Sequence, residues 1–381
     1  MPTLSELVDL LHGWYPPATA DSWDAVGLVA GDPDQHVDKV LFAVDPTESV
    51  AREAAEWGAQ LLVVHHPLFL KGVHGVARTT PKGRTLGVLQ DAGCALLTAH
   101  TNADQARHGV SEAMALALGL SDLRPLRPAA GPALDKLTTY VPVADAEAVR
   151  ATLSGAGAGA IGDYDHASFS TPGEGRFRPL AGAKPVIGRV GDLEVVDEVR
   201  VECVLPRRAR ARVVAALLDA HPYEEPAYDV TELADPGLAA EGTGRVGEVE
   251  PTTLRGFAER VASALPATAQ GVRVGGNLDR EVRRVALCGG AGDFLLDEVR
   301  RTDADVYVTS DLRHHPAAEF LEHGSGGGPA LVDVAHWAAE WTWLPVVEAR
   351  LRSALSGSGM AGDTVSTRVS TVVTDPWVAR L

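Results

Sequence analysis

Three short stretches place metal-binding side chain types directly after apolar runs. "LLVVHHP" ends in His65 and His66, "LLTAHTNADQA" carries His100 and Asp104, and "LVDVAHWAAEW" carries His336 and Glu340. Imidazole is the commonest protein ligand for transition metals and is costly to bury without a partner. Consecutive side chains on a strand diverge, so one ion rarely takes both His65 and His66, whereas two neighbouring ions can take one each. His336 and Glu340 are four apart, and on a helix they share a face. Histidines and carboxylates without thiolate suit Zn²⁺, Mn²⁺, Fe²⁺, Co²⁺ or Ni²⁺ better than Cu⁺.

Each residue alone has a plainer reading. A single histidine is more often a satisfied core residue, Asp104 could cap a helix, and a lone glutamate is usually a solvated helix residue. Three clusters at equivalent positions shift the balance toward a metal centre, and the split histidine pair toward a dinuclear one. Other stretches are weaker. "CGGAGDF" follows a strand and opens a helix, where a glycine turn can hold phosphate. It has no lysine, however, and Asp293 sets a negative charge near the helix start, so a tight turn is the better reading. "HPYEEPAYDV" reads as entry to a strand rather than a second metal site. "SDLRHHP" reads as a pocket wall.

The elements that must position these residues follow from periodicity. From residue 39, "KVLFAVD", "QLLVVHHP" and "CALLTAHTNAD" read as strands. Helical stretches lie between them, the first capped by Thr47. This alternation predicts a mostly parallel sheet covered by helices, with ligands beyond the carboxyl ends of its strands. "RPAAGPALDK" and "ADPGLAAEGTGRVGEVE" read as linkers. Between them, two βαβ-like units predict a small α+β sandwich of the ferredoxin type. The third part returns to strand and helix, with "DTVSTRVSTVVTDPW" as a closing strand. The expected fold is α/β: two related lobes, residues 1–130 and 241–381, with an α+β domain at 131–240 inserted between them.

Composition narrows the function. With 34 basic and 51 acidic residues, net −17, and no Lys/Arg tract, binding to nucleic acid through phosphates is disfavoured. No stretch approaches ~20 uninterrupted apolar residues, which argues against a spanning helix. Three scattered cysteines, Cys94, Cys203 and Cys288, fit buried thiols rather than a disulfide scaffold or thiolate site. A cytoplasmic location is the expectation.

The stretches "SWDAVGL", "VVHHPLFLKG", "LLTAHTNADQA", "HPYEEPAYDV", "CGGAGDF", "VYVTSDLRHHPAAEF", "LVDVAHWAAEW" and "VSTVVTDPW", in this order, resemble the Nif3-like family. Its members are also called GTP cyclohydrolase 1 type 2 homologs or dinuclear metal-centre proteins. The resemblance implies two divalent ions in a cleft between the lobes. His65, His66, Asp104, His336 and Glu340 match the ligand positions, and His100 and His315 match polar positions nearby that could donate protons. It implies a PII/CutA-like inserted domain and a homohexameric ring. It also implies metal-dependent hydrolysis of a purine nucleotide such as GTP, or of a phosphoester, with Glu340 bridging the ions. The rival expectation is a non-catalytic regulatory or scaffold protein that binds metal. The chain departs from the family pattern at Ala25, where asparagine is usual, and at Asp293, where a small residue is usual.

Overall fold

The computed structural model describes residues 1–131, 133–162, 164–234, 240–323, 327–357 and 365–381. The chain forms two compact units, one of Met1–Ala129 with Ala240–Leu381, the other of Ala130–Ala239.

The first unit is built on two sheets. One has the strand order Gly27–Ala30, Ala95–Thr98, Leu61–Val64, Lys39–Ala43, Ser366–Val369. All its pairs are parallel except that of Gly27–Ala30. Leu61, Leu62, Val63 and Val64 are all fully buried, as expected for a central parallel strand covered on both faces. Each such side chain stabilises the fold by about 1.5–3 kcal/mol, before the entropy lost in ordering it. Thr47 caps the helix Glu48–Trp57, and Gly58, at φ 74°, ends it in the left-handed conformation. The register Ala43↔Val64↔Thr98 aligns three carboxyl ends at one edge.

The other sheet has the order Arg273–Gly275, Ala330–Val334, Val306–Ser310, Glu281–Ala291, Gly242–Thr253, Ser121–Pro128. Val334 pairs with Ser310 in parallel, which again brings two carboxyl ends together. The sheets exchange edges. Ser121–Pro128 comes from the first half of the chain yet pairs with Gly242–Thr253, and Ser366–Val369 comes from the last part yet pairs with Lys39–Ala43. One apolar core, including Phe42, Val63 and Leu97 with Leu287, Val308 and Val332, spans both sheets.

The second unit contains strands Leu134–Pro142, Ser168–Phe177, Glu194–Pro206 and Tyr228–Glu232 and helices Ala146–Gly155 and Arg210–Ala220. Its antiparallel order runs second, third, first, fourth, which is the split βαβ arrangement. Leu137, Val201 and Leu205 pack one sheet face on Val149, Leu153, Val213 and Leu217 of the helices. All three cysteines are free and buried, and burial lifts the thiol pKa of Cys94 to about 12. Among the described residues, no helix is long and apolar enough to cross a membrane.

Candidate metal centre

His65 and His66 follow the central strand Leu61–Val64 directly. His100 stands just beyond Ala95–Thr98, and Asp104 lies in the short helix Thr101–Gln105. From the second sheet, Ala330–Val334 leads into the helix His336–Trp341, which carries His336 and Glu340 on one face. His336 Nε2 lies 2.8 Å from Glu340 Oε1. The structure therefore brings residues from both sheets to one place. Ring nitrogens of His65, His66 and His100 form one close group, and His66, His336 and Glu340 a second that shares His66. Asp104 Oδ1 lies 3.7 Å from His65 Nε2.

The four imidazoles share one device. Nδ1 of His65 meets the carbonyl of Ala99 at 2.9 Å, and Nδ1 of His66 meets Asp45 at 2.7 Å. Nδ1 of His100 meets Asp24 at 2.8 Å, and Nδ1 of His336 meets Asp311 at 2.6 Å. Each acceptor fixes the tautomer with the proton on Nδ1 and leaves Nε2 as a lone pair, the arrangement that orients metal-ligating histidines. Asp24 is held in turn by the backbone N–H and hydroxyl of Thr101 at 3.1 and 2.5 Å. The backbone N–H of Ala25 donates to the same aspartate at 2.7 Å, so the departure at Ala25 leaves this support in place.

Glu340 is the hub. It is 3% exposed, its Oε2 is 3.0 Å from His66 Nε2, and its Oε1 is 3.4 Å from His65 Nε2. With Nδ1 carrying each imidazole proton, these contacts set lone pairs against a carboxylate, so something positive belongs among them. Among the described residues, His65 Nε2, Asp104 Oδ1 and Glu340 Oε2 are buried without a hydrogen-bond partner. Leaving such an atom unsatisfied costs about 1–3 kcal/mol. Asp104 falls outside both close groups but neighbours His65, and a set of imidazole nitrogens and carboxylate oxygens fits a divalent cation of the zinc or manganese kind.

Without a metal, protons take that role. Burial pulls the His66 pKa down, but Glu340 and Asp45 outweigh it and hold the imidazole well above its usual range. Burial also opposes protonation of His336, yet Glu340 and Asp311 raise it to about 10. His65 is raised against burial by Glu340 and Asp104. Burial would raise Glu340, but His66, His65 and His336 keep it well below the usual carboxylate range. Burial lifts Asp104 to about 6. His100 differs: burial and the neighbouring His65 lower it.

The glycine turn of "CGGAGDF" belongs to this site in an unexpected way. Gly290 has φ 69°, and a Cβ there would stand 2.5 Å from Glu340 Oε1 and 3.2 Å from His336 Nε2. The glycine admits the carboxylate rather than a phosphate. Asp293 is paired with Arg313 at 2.5 Å. His315 is exposed on the helix His314–His323, with its ring against His314 and outside both ligand groups. Sequence reasoning missed Asp24, Asp45 and Asp311 as partners of the histidines. The available signal was an aspartate just past the end of a strand, in "AVDP" and "TSDL".

An α/β fold with histidines and carboxylates gathered at strand ends places the chain among α/β proteins with a candidate metal site at the carboxyl ends of their strands. The family model of Duf34/NIF3 (NGG1p interacting factor 3) matches residues 2–376, and the chain belongs to this family. A relative in Mycobacterium tuberculosis named GTP cyclohydrolase 1 type 2 homolog is 50% identical over 98% of this chain and 96% of its own. A relative of the same name in Bacillus subtilis is 39% identical over 87% of this chain and 88% of its own. Among solved structures, a Bacillus cereus protein related to NIF3 is similar at 35% identity and TM-score 0.76, covering 99% of both chains. A Staphylococcus aureus protein is similar at 28% identity and TM-score 0.83, over 99% of this chain and 98% of that one.

Proposed function

We propose that this chain holds two divalent metal ions and acts as a metal-dependent hydrolase, with a purine nucleotide such as GTP as the candidate substrate. The observation that supports it most is the convergence of imidazoles, each fixed through Nδ1, on a buried carboxylate with unsatisfied atoms around it. His65, His66, Asp104, His336 and Glu340 would hold the ions, with Glu340 between them. Such a pair supplies Lewis acidity and lowers the pKa of water toward neutrality. Glu340 offsets positive charge there. His100, kept in one tautomer by Asp24 and grouped with His65 and His66, is better placed to exchange a proton with a ligand there than the exposed His315, which lies outside both groups. A cavity of about 250 Å³ lies against the cluster, lined by Asp45, His66, Asp311 and His336 on one side and Gln270 and Trp377 on another. The relatives' name supports a purine nucleotide as the ligand. A PII/CutA-like second unit and assembly into a hexamer belong to the same reading, and its split βαβ order supports the former.

A second reading is a metal-binding protein without turnover, which the family description as an interacting factor favours. Metal-loaded protein incubated with a panel of nucleotides, beside the Glu340→Gln variant, separates the two. Turnover by the parent and not by the variant supports the hydrolase. Metal uptake with no product from any nucleotide supports the second. Metal titration of the same variant tests the bridge: Glu340→Gln weakens both ions together if the carboxylate is shared.

A further inference from the structure

The second unit carries a cavity far from any histidine cluster in sequence. Among the described residues, the sheet of Ala130–Ala239 has helices on one face only. At one end, the other face is covered by the segment 178–193, which leaves the strand Ser168–Phe177 and returns as Glu194–Pro206. The segment is closed at its base by the Gly191 N–H donating to the Pro179 carbonyl at 2.8 Å. It is tied at its middle by the Lys184 N–H donating to Glu224 at 2.9 Å. A loop closed and pinned in this way borders a cleft on the sheet face. The cavity beneath measures about 520 Å³.

Its lining is chemically uneven. Tyr140, Phe177 and Tyr223 give aromatic walls, and Val186 and Ile187 an apolar roof. Glu198, on the strand Glu194–Pro206, is 8% exposed and lines the cavity. Its Oε1 accepts a hydrogen bond from the Tyr223 hydroxyl at 2.8 Å. Gly175 makes room for this carboxylate, since a Cβ there would stand 2.2 Å from Oε2. A carboxylate held by one phenol at the wall of a cavity has further acceptor sites to offer a ligand there. Of the lining arginines, Arg176 is already paired with Glu174, and Glu224 and Glu225 line the cavity beside Arg178.

We propose that this cavity binds a small organic ammonium ion, with Glu198 accepting its N–H groups and the rings of Tyr140, Phe177 and Tyr223 facing its carbon frame. The walls favour an organic cation over a bare metal ion. One carboxylate and one phenol fall short of the four or more ligands that zinc or calcium takes. Aromatic faces, by contrast, attract a desolvated ammonium.

The test uses the full chain and named probes. Phenethylammonium and putrescine are titrated by calorimetry, beside neutral 2-phenylethanol and anionic 3-phenylpropionate at equal concentration. The expected result is saturable binding of an ammonium probe and weaker binding of the neutral and anionic probes. The Glu198→Gln variant should lose more than about tenfold in ammonium affinity. Val186 is exposed, so Val186→Trp fills the roof without disturbing the core and should also abolish binding. Thermal unfolding of both variants is measured in parallel. If Glu198→Gln fails to fold, the Val186→Trp result decides alone. No saturable ammonium binding, equal binding by folded Glu198→Gln, or preference for the anionic probe would each overturn the proposal.

Discussion

The chain contains the tripeptide His-His-Pro twice, and the two copies have opposite fates. In both, the adjacent rings lie 5.1 Å apart. At the first copy His65 is fully buried and His66 is one quarter exposed at the side chain, with lone pairs turned to Glu340. At the second, His314 and His315 are exposed at the start of a helix. The difference lies in the distance from the preceding strand. His65 is the first residue after Leu61–Val64, and its N–H still donates to Val44 at 3.1 Å. After Val306–Ser310 the corresponding place is taken by Asp311, and the chain turns away before the histidines arrive. A motif joins the histidine and carboxylate cluster by its place at a strand end, and the same three residues displaced by a short turn do not.

The sharpest way to break this comparison is to remove one ring from each copy. His65→Ala should abolish high-affinity metal uptake, measured by elemental analysis and titration, while His315→Ala should stay within about twofold of the parent. Equal losses would erase the distinction. The next effect concerns the aspartates behind the rings. Asp311→Asn removes the charge that orients His336 and should weaken metal binding by about 10–100-fold, read by competition with a chelator. An unchanged affinity would show that the ring is held by packing alone.

A third effect is proton competition. The pKa values of His66 and His336 are raised, so both are protonated near neutral pH without metal and must release protons when it binds. Affinity should therefore climb with pH by about tenfold per unit for each proton released. Calorimetry in buffers of different ionisation heat counts those protons, and a pH-independent affinity between 6 and 8 contradicts the assignment of these rings as ligands. The smallest effect is expected at His314→Ala, where neither metal binding nor thermal unfolding should move measurably.

Much of the site was legible because type and position agreed. His65-His66 ends an apolar run, and His336 and Glu340 share a helical spacing, so that part needed only local periodicity. The aspartates were not legible in the same way. Asp45 serves His66 and Asp311 serves His336 across strand boundaries, and a lone aspartate after a strand looks like any turn residue until the neighbouring strand is known. Gly290 was hidden for a similar reason. Its role is to let Glu340 approach from another element, whereas the surrounding glycines suggested an anion. The exchanged edge strands were the least legible feature, since "STRV" reads as a strand but carries no mark of its partner.

That exchange bears on the order in which the molecule can be made. Lys39–Ala43 emerges early in synthesis, yet its edge partner Ser366–Val369 is translated after every other strand described. Until then the backbone groups along that edge face solvent or a wrong partner, the exposure that chaperones commonly shield. Ala130–Ala239 is contiguous and closes its sheet from its own residues, so it can complete itself while the rest is still being translated. The bipartite unit has a long sequence separation between paired strands and should be the slow step of folding, with the candidate ligands His336 and Glu340 joining the earlier ones late.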